Sequence, residues 1–223
     1  MTISIDSRPL NIGVLALQGA FSEHVIVLNK LANTENISKV IEVRTKEQLG
    51  SIDALIIPGG ESTTMALIAE RSGLIEPLRE FVKTKPTWGT CAGLILLSHK
   101  ATNTKKNGQE LLGVLPVTVS RNKFGRQVDS FTISLPSPCL DAVTESGNSN
   151  SFPYVFIRAP CIIGIDDPLV QELIVLPTSS PAEEKGDIVA VKYKHLLGTS
   201  FHPELTNDNR WHQYFINMAR ENI

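Results

Sequence analysis

The N-terminal part of the chain repeats one device, a short unbroken apolar run followed by a turn and a stretch of helical character, and this restricts the fold more than any other feature. Leu10-Asn11-Ile12-Gly13-Val14-Leu15-Ala16-Leu17 ends at Gln18-Gly19 and leads into an apparent helix through His24 and Leu31. Val40-Ile41-Glu42-Val43 and Ala54-Leu55-Ile56-Ile57 are further strand candidates. Helical stretches cover 62–71 and 74–84, and Trp88 to Leu96 runs from a fourth strand through a turn into another helix. Apolar runs without alternation suit strands buried on both faces, and intervening helices supply the crossovers that parallel neighbours need. The pattern predicts an α/β fold, a doubly wound and mostly parallel sheet covered on both sides. Functional side chains then belong at the carboxyl ends of the strands.

Past residue 110 the texture changes to short β-like runs at 114–120, 128–133, 154–157, 161–165, 173–176 and 188–193, without clear helices between them. These predict antiparallel additions to the same domain. Pro/Ser/Asn-rich composition marks 136–151 and 178–186 as surface loops. The last element, 206–220, is amphipathic, and the stripe Trp211, Tyr214, Phe215 and Met218 reads as core packing. No repeat or linker divides the chain, so residues 1–223 are expected to form one domain, a size at which a single core fills well.

A net charge of −2 without a basic run argues against nucleic acid or an anionic membrane as partner. No stretch approaches the roughly 20 apolar residues of a spanning helix, and the N-terminus lacks the basic start of a signal peptide. A cytoplasmic protein is expected. Cys91, Cys139 and Cys161 are odd in number and widely spaced, which fits neither a disulfide framework nor a zinc site and suits a reducing compartment. No metal site is expected.

Chemistry concentrates at three places. In Gly89-Thr90-Cys91-Ala92-Gly93 a cysteine stands where a strand turns sharply into a helix, pushed clear of both elements and close to free backbone N–H groups that favour a thiolate. In Ser200-Phe201-His202-Pro203-Glu204, an extended strand would put His202 and Glu204 on one face, a base with a carboxylate that fixes its tautomer. In Pro58-Gly59-Gly60-Glu61-Ser62-Thr63-Thr64, backbone N–H groups at a glycine turn can face a developing oxyanion. That last segment also reads as a plain turn with Ser62 capping the next helix, and it lacks the spacing of a P-loop or a dinucleotide site.

Taken together, these segments resemble the class I glutamine amidotransferases, and within them the glutaminase subunits of pyridoxal 5′-phosphate synthases. The narrower resemblance rests on Leu15-Ala16-Leu17-Gln18-Gly19-Ala20 with Glu23-His24, on Pro58 to Met65, on Arg121-Asn122-Lys123-Phe124-Gly125-Arg126-Gln127 with Ser130-Phe131, on Phe156-Ile157-Arg158-Ala159-Pro160, and on Thr199 to Thr206. It implies a flavodoxin-like glutaminase in which Cys91 is the nucleophile and His202 with Glu204 completes the triad. It also implies that L-glutamine is held by Gly60, Glu61, Ser62, Arg121, Ile157 and Arg158, with Gly60 and Ala92 forming the oxyanion hole. Arg126 fits either a binding or a structural role. No cofactor is implied, since pyridoxal phosphate is product of the complex. The implied partner is a (β/α)₈ synthase subunit in a hetero-oligomeric complex. A glutaminase running without a consumer wastes glutamine, so low activity alone is expected, with activation when the synthase docks near the Gln18 turn, and ammonia, which neutral water protonates, is expected to pass directly into the partner.

The chain departs from the family pattern in longer, more polar segments at 101–110 and 136–151, and in Tyr154 where glycine is expected. Three rivals remain at this level. Another amidotransferase would share the triad but lack the 121–127 and 156–160 blocks. A peptidase or chaperone-like relative would share the elbow but fits the late His202-Pro203-Glu204 poorly. A catalytically dead regulatory subunit fits poorly with a complete triad.

Overall fold

The computed structural model describes residues 8–102, 109–121, 130–144, 149–178 and 186–223. Its N-terminal part runs β1 (Leu10–Leu15), α1 (Phe21–Leu31), β2 (Ile37–Val43), α2 (Lys46–Gly50), β3 (Ala54–Ile57), α3 (Ser62–Arg71), α4 (Ile75–Thr84), β4 (Thr87–Thr90) and α5 (Ala92–Leu97). There follow β5 (Ser98–Thr102), β6 (Leu115–Ser120), β7 (Ser130–Pro136), β8 (Ser151–Ile157), β9 (Cys161–Ile165), β10 (Gln171–Val175), β11 (Ile188–Tyr193), β12 (Leu196–Thr199) and α6 (Arg210–Glu221). Arg126 and most of the 121–127 block, with much of 101–110, lie outside the described residues.

The main sheet runs in the order β2-β1-β3-β4-β12-β11-β9-β6-β5, with β10 paired to β11. Its first five strands are mutually parallel. This 2-1-3-4-5 arrangement, with β12 as the fifth strand, is the flavodoxin-like order. β11, β9 and β6 extend it by antiparallel pairing, while β7 and β8 form a separate two-stranded sheet. The doubly wound reading therefore holds, and the additions divide between an extension of the sheet and a detached ribbon.

The apolar runs are explained by burial on both faces. Along β3, Ala54 and Ile56 join one core cluster with Ile12, Val14, Trp88 and Phe215, while Leu55 and Ile57 join the opposite cluster with Leu15, Leu94 and Leu115. Each fully buried side chain of this size contributes roughly 1.5–3 kcal/mol, so the parallel strands form a rigid base.

Several boundaries differ from the sequence-based expectation. The last helix starts at Arg210, not 206, because Thr206 Oγ1 accepts from the Asp208 N–H (3.2 Å) and Asp208 accepts from Arg210, which holds 206–209 in a loop. Helix α2 escaped the periodicity reading because it is 5 residues long, although its capping box, Thr45 with Gln48, stands in the sequence. β5 escaped because Ser98-His99-Lys100-Ala101-Thr102 is polar, as an edge strand can be. The predicted loop 136–151 contains a 3₁₀ turn at Pro138–Val143 that buries Leu140. Tyr154, where glycine was expected, is fully buried, its ring 4.6 Å from Phe201 and 5.0 Å from Phe152 by centroids.

Candidate active site

Cys91 occupies the single residue between β4 and α5, with φ 47° and ψ −101°. Backbone strain of this kind costs about 1–3 kcal/mol and persists only where the surroundings impose it. They do so here: the Cys91 N–H donates to Thr199 O (2.7 Å) on β12, and the Cys91 carbonyl accepts from Ile95 N (3.2 Å). The helix start lies directly on the sheet, since a Cβ at Gly93 would fall 2.0 Å from the Ile57 carbonyl oxygen. The elbow inferred from two glycines flanking a cysteine is thus a close contact of helix and strand. Cys91 is 7% exposed and borders a cleft of about 520 Å³.

His202 follows β12 and reaches the same cleft. The segment after it is not the extended strand expected from the sequence: Pro203–Leu205 form a 3₁₀ turn. Proline starts that turn readily, because its missing N–H has no partner there to lose. The pair meets regardless, His202 Nδ1 lying 2.7 Å from Glu204 Oε1. Its Nε2 is not engaged by Glu204, and Cys91 borders the same cleft. Burial acts to lower the His202 pKa, but interaction with Cys91 and the hydrogen bond to Glu204 outweigh it and raise the value from 6.5 to about 10. Burial likewise opposes ionisation of Glu204, yet His24 and His202 hold its carboxyl below the ordinary value.

The Gly59-Gly60 turn ends β3 beside these groups, and a Cβ on Gly59 would fall 2.4 Å from His202 Cε1 and 3.3 Å from Cys91 Cβ. The turn after β1 grips it. The Ala20 N–H donates to Gly59 O (3.0 Å), and Gln18 Oε1 accepts from the Glu61 N–H (2.8 Å). Gly19 has φ +93°, and a Cβ there would lie 1.9 Å from the Gly59 oxygen, so only glycine allows this approach.

Glu61 rather than Ser62 caps α3, its carboxylate accepting from Thr63 N (3.1 Å) and Thr64 N (2.7 Å). Burial opposes its ionisation, but the Thr64 hydroxyl (2.6 Å) and these backbone bonds hold its pKa at about 2. Glu61 Oε1 also pairs with Arg121 Nη2 at 3.0 Å, at the end of β6. Ser62 Oγ donates to Gln109 Oε1 (3.1 Å). Ile157 closes β8, and Arg158 follows it with φ 45°.

The cleft is lined by Gln18, Gly60, Glu61, Ser62, Arg121, Ile157 and Arg158 together with Cys91, Ile95 and His202. Every residue singled out from the sequence for glutamine therefore borders one space. Glu204 lies behind His202, and Ala92 opens α5 immediately after Cys91. A larger groove of about 840 Å³ runs past Pro153, Asp208 and Arg210, but no histidine or cysteine lines it, and the Arg210 guanidinium is occupied by Asp208, Thr144, Ser149 and Ser151. Among the described residues no group of three or more His, Cys, Asp or Glu is arranged to hold a metal ion, and no helix is long and apolar enough to cross a membrane.

Two buried histidines were not assigned a role from the sequence. His24 Nε2 lies 3.5 Å from Glu204 Oε2, and His24 Nδ1 lies 3.0 Å from His212 Nε2. The sequence placed His24 in the first predicted helix and in the Glu23-His24 block, and His212 was not singled out within the amphipathic C-terminal element.

Residues 14–221 match the SNO glutamine amidotransferase family. A protein of Arabidopsis thaliana named "Probable pyridoxal 5'-phosphate synthase subunit PDX2" is 44% identical over 228 residues, covering 95% of this chain and 87% of that one. The pyridoxal 5′-phosphate synthase subunit PdxT of Dehalococcoides mccartyi is 44% identical over 213 residues, covering 95% and 98%. Among solved structures, one described as a glutamine amidotransferase superposes with a TM-score of 0.74 at 39% identity, covering 93% of this chain and 98% of that one. The glutaminase domain of Trypanosoma brucei CTPS with bound acivicin, at 13% identity and a TM-score of 0.56 over 96% of this chain and 95% of that one, shares the fold.

Proposed function

The chain belongs to the SNO glutamine amidotransferase family, and on that premise we propose that Cys91, His202 and Glu204 hydrolyse L-glutamine to L-glutamate and ammonia for pyridoxal 5′-phosphate synthesis. The observation that carries the assignment of roles is the buried His202–Glu204 pair, with Nδ1 of the imidazole on the carboxylate at 2.7 Å, in a cleft that His202 and Cys91 both line. The Cys91 thiolate attacks the carboxamide carbon of glutamine and forms the C–S bond, and the oxygen takes up the displaced electron pair. His202, an imidazolium stabilised by Glu204, gives its proton to the amide nitrogen as the C–N bond breaks and ammonia leaves. Neutral His202 then takes a proton from water, whose oxygen attacks the thioester and releases glutamate and thiolate.

Backbone N–H groups of Ala92 and Gly60 hold the oxyanion in this reading, each such donor typically worth roughly 3 kcal/mol of barrier. Glutamine carries a carboxylate and an ammonium, and a cleft rimmed by Arg121, Arg158 and Glu61 offers partners for both. Because the Gln18–Ala20 turn holds the Gly59-Gly60 peptide, a partner that docks near this turn sets the oxyanion donor. The partner is a (β/α)₈ synthase subunit, the complex is hetero-oligomeric, and the whole chain acts as one cytoplasmic glutaminase domain. Activity is low alone and rises on docking, and ammonia passes into the synthase before water protonates it.

The test is glutamate release by wild type and Cys91→Ser, each with and without the synthase subunit of the same organism. The reading requires synthase-dependent turnover that Cys91→Ser abolishes. Glutamate release by Cys91→Ser at the wild-type rate overturns the triad, and equal wild-type turnover with and without synthase overturns the activation.

A further inference from the structure

Beyond the residues already given roles, the described interior holds a pair of buried imidazoles that abuts the proposed triad. Glu204 has a side chain with no exposed surface. Its Oε1 is taken by His202, while its Oε2 is buried with no hydrogen bond of good geometry. His24 Nε2, on the first turn of α1, faces that oxygen at 3.5 Å. Behind it His24 Nδ1 meets His212 Nε2 of α6 at 3.0 Å, and His212 Nδ1 is buried without a partner.

We infer that His24 is a positioning residue for glutamine hydrolysis: its Nε2–H holds the second oxygen of Glu204, and His212 fixes the tautomer that makes this possible. The inference rests on the triad reading above.

The tautomers follow from elimination. Both rings are fully buried, and burial lowers both of their pKa values, so each carries one proton at neutral pH. One N–H must lie between Nδ1 of His24 and Nε2 of His212. If His24 supplies it, its Nε2 lone pair faces a carboxylate, and the proton on His212 Nδ1 is a buried donor with no acceptor. If His212 supplies it, the His24 proton sits on Nε2 and points to Glu204, and the only orphan is the bare Nδ1 of His212. Orphaned buried N–H groups are rarer than under-satisfied acceptors, so the second arrangement prevails.

Other groups complete the surroundings of His24. From β4, Thr90 Oγ1 lies 3.4 Å from the same Nε2, a contact open to either tautomer because a hydroxyl both donates and accepts, and the Trp88 ring packs edge-on against both imidazoles. The charged groups that act on His24 are Glu204, His202 and Glu23. A proton from His24 on the second oxygen opposes rotation of the Glu204 carboxylate away from His202. His24 does not border the cleft, so its effect belongs to turnover and not to glutamine affinity.

The experiment is steady-state glutaminase kinetics across pH, with the synthase subunit present, for wild type, His24→Leu, His24→Gln and His24→Asn. In His24→Leu, kcat falls about tenfold with KM within about twofold, the scale seen when residues behind a functional group are removed. The acid limb of kcat moves up by about one pH unit, because an unheld Glu204 protonates more easily. Glutamine places an N–H near the Nε2 position and asparagine near Nδ1, so His24→Gln recovers most of the loss and His24→Asn does not. A wild-type kcat and acid limb in His24→Leu, or equal losses in the Gln and Asn variants, overturns the inference. If His24→Leu does not fold, the Gln and Asn pair decides alone. Nitrogen-15 spectra of the wild type give a second readout: Nε2–H on both histidines is expected, and Nδ1–H on His24 overturns it. Cys91→Ser run in parallel separates the levels. Glutaminase activity in that variant removes the triad itself, whereas its absence beside an unaffected His24→Leu removes only the role of His24.

Discussion

The cleft has two walls of different origin. One is built at the ends of adjacent parallel strands: Gln18 and Gly19 after β1, Gly59 and Gly60 after β3, Cys91 after β4, His202 beyond β12. The other comes from the appended part, with Arg121 after β6, three places along the sheet from β12, and Ile157 with Arg158 closing β8 of the detached ribbon. Reacting atoms must be placed to a fraction of an ångström, which a shared ladder of backbone hydrogen bonds provides. Long charged side chains that grip the ends of a substrate tolerate slack. The division predicts that damage to the first wall reduces turnover and damage to the second weakens substrate binding.

The largest expected effect is that of Glu204→Gln, which keeps the shape and removes the charge that stabilises imidazolium. By comparison with other triads, kcat falls by up to ~10⁴-fold with KM little changed. The same variant has a pH signature. His202 is raised from 6.5 to about 10, so the stability that its partners confer is present below 6.5 and lost as pH rises towards 10. Glu204 is lowered from 4.5, so its contribution is present above that value and lost as pH falls. The gap in melting temperature between wild type and Glu204→Gln is therefore widest between these ordinary values and closes towards pH 10. A gap that does not vary with pH would mean that the two side chains are not coupled.

Gly19→Ala tests the same wall without touching a catalytic group. Its methyl group would collide with the Gly59 oxygen at 1.9 Å, so the Gly59-Gly60 peptide must turn or shift. Loss of one oxyanion donor costs about 10²–10³ in kcat, and thioester accumulation measured by mass spectrometry should fall with it. Unchanged kcat would remove this peptide from the chemistry. For the second wall, Arg121→Ala loses a charge-assisted bond to substrate, worth ~1.5–3 kcal/mol or roughly 10- to 150-fold in KM, with kcat affected less. A fall confined to kcat would erase the distinction between the walls.

The two walls also differed in how far the sequence disclosed them. Continuous apolar runs announce strands buried on both faces, and a cysteine between glycines at the end of such a run announces an elbow, so the first wall followed from periodicity and local sterics. Arg121 and Arg158 did not. Nothing in the spacing of antiparallel strands says which ends converge, and these residues entered only through resemblance. His24 and His212 were hidden for another reason: a polar residue on a helix is ordinarily solvated, and only tertiary packing reveals a buried pair of imidazoles. The pairing of His202 with Glu204 was read from strand alternation, yet the backbone achieves it through a 3₁₀ turn, a reminder that spacing of two residues is compatible with more than one local geometry.

The smallest effect concerns whether the walls are independent. The first borrows support from the second, because the His202 N–H donates to Val155 O of β8 (2.8 Å) and Phe201, the residue before His202, packs on Tyr154. Tyr154→Phe keeps that packing and removes only the bond between its hydroxyl and Ser137 Oγ (2.5 Å). Ser137 still donates to Leu135 O, so the cost is about 1 kcal/mol, a drop of roughly 2–4 °C in melting temperature for a chain of this size, with kcat unchanged. Tyr154→Gly removes the ring as well, at roughly 3–5 kcal/mol if the site collapses as little as other aromatic truncations do, and it loosens the seat of Phe201. If β8 holds His202 in place, the glycine variant loses kcat at temperatures where it is still folded. If it serves recognition alone, KM rises and kcat stays, and the separation of the two walls is sharper than their shared hydrogen bond suggests.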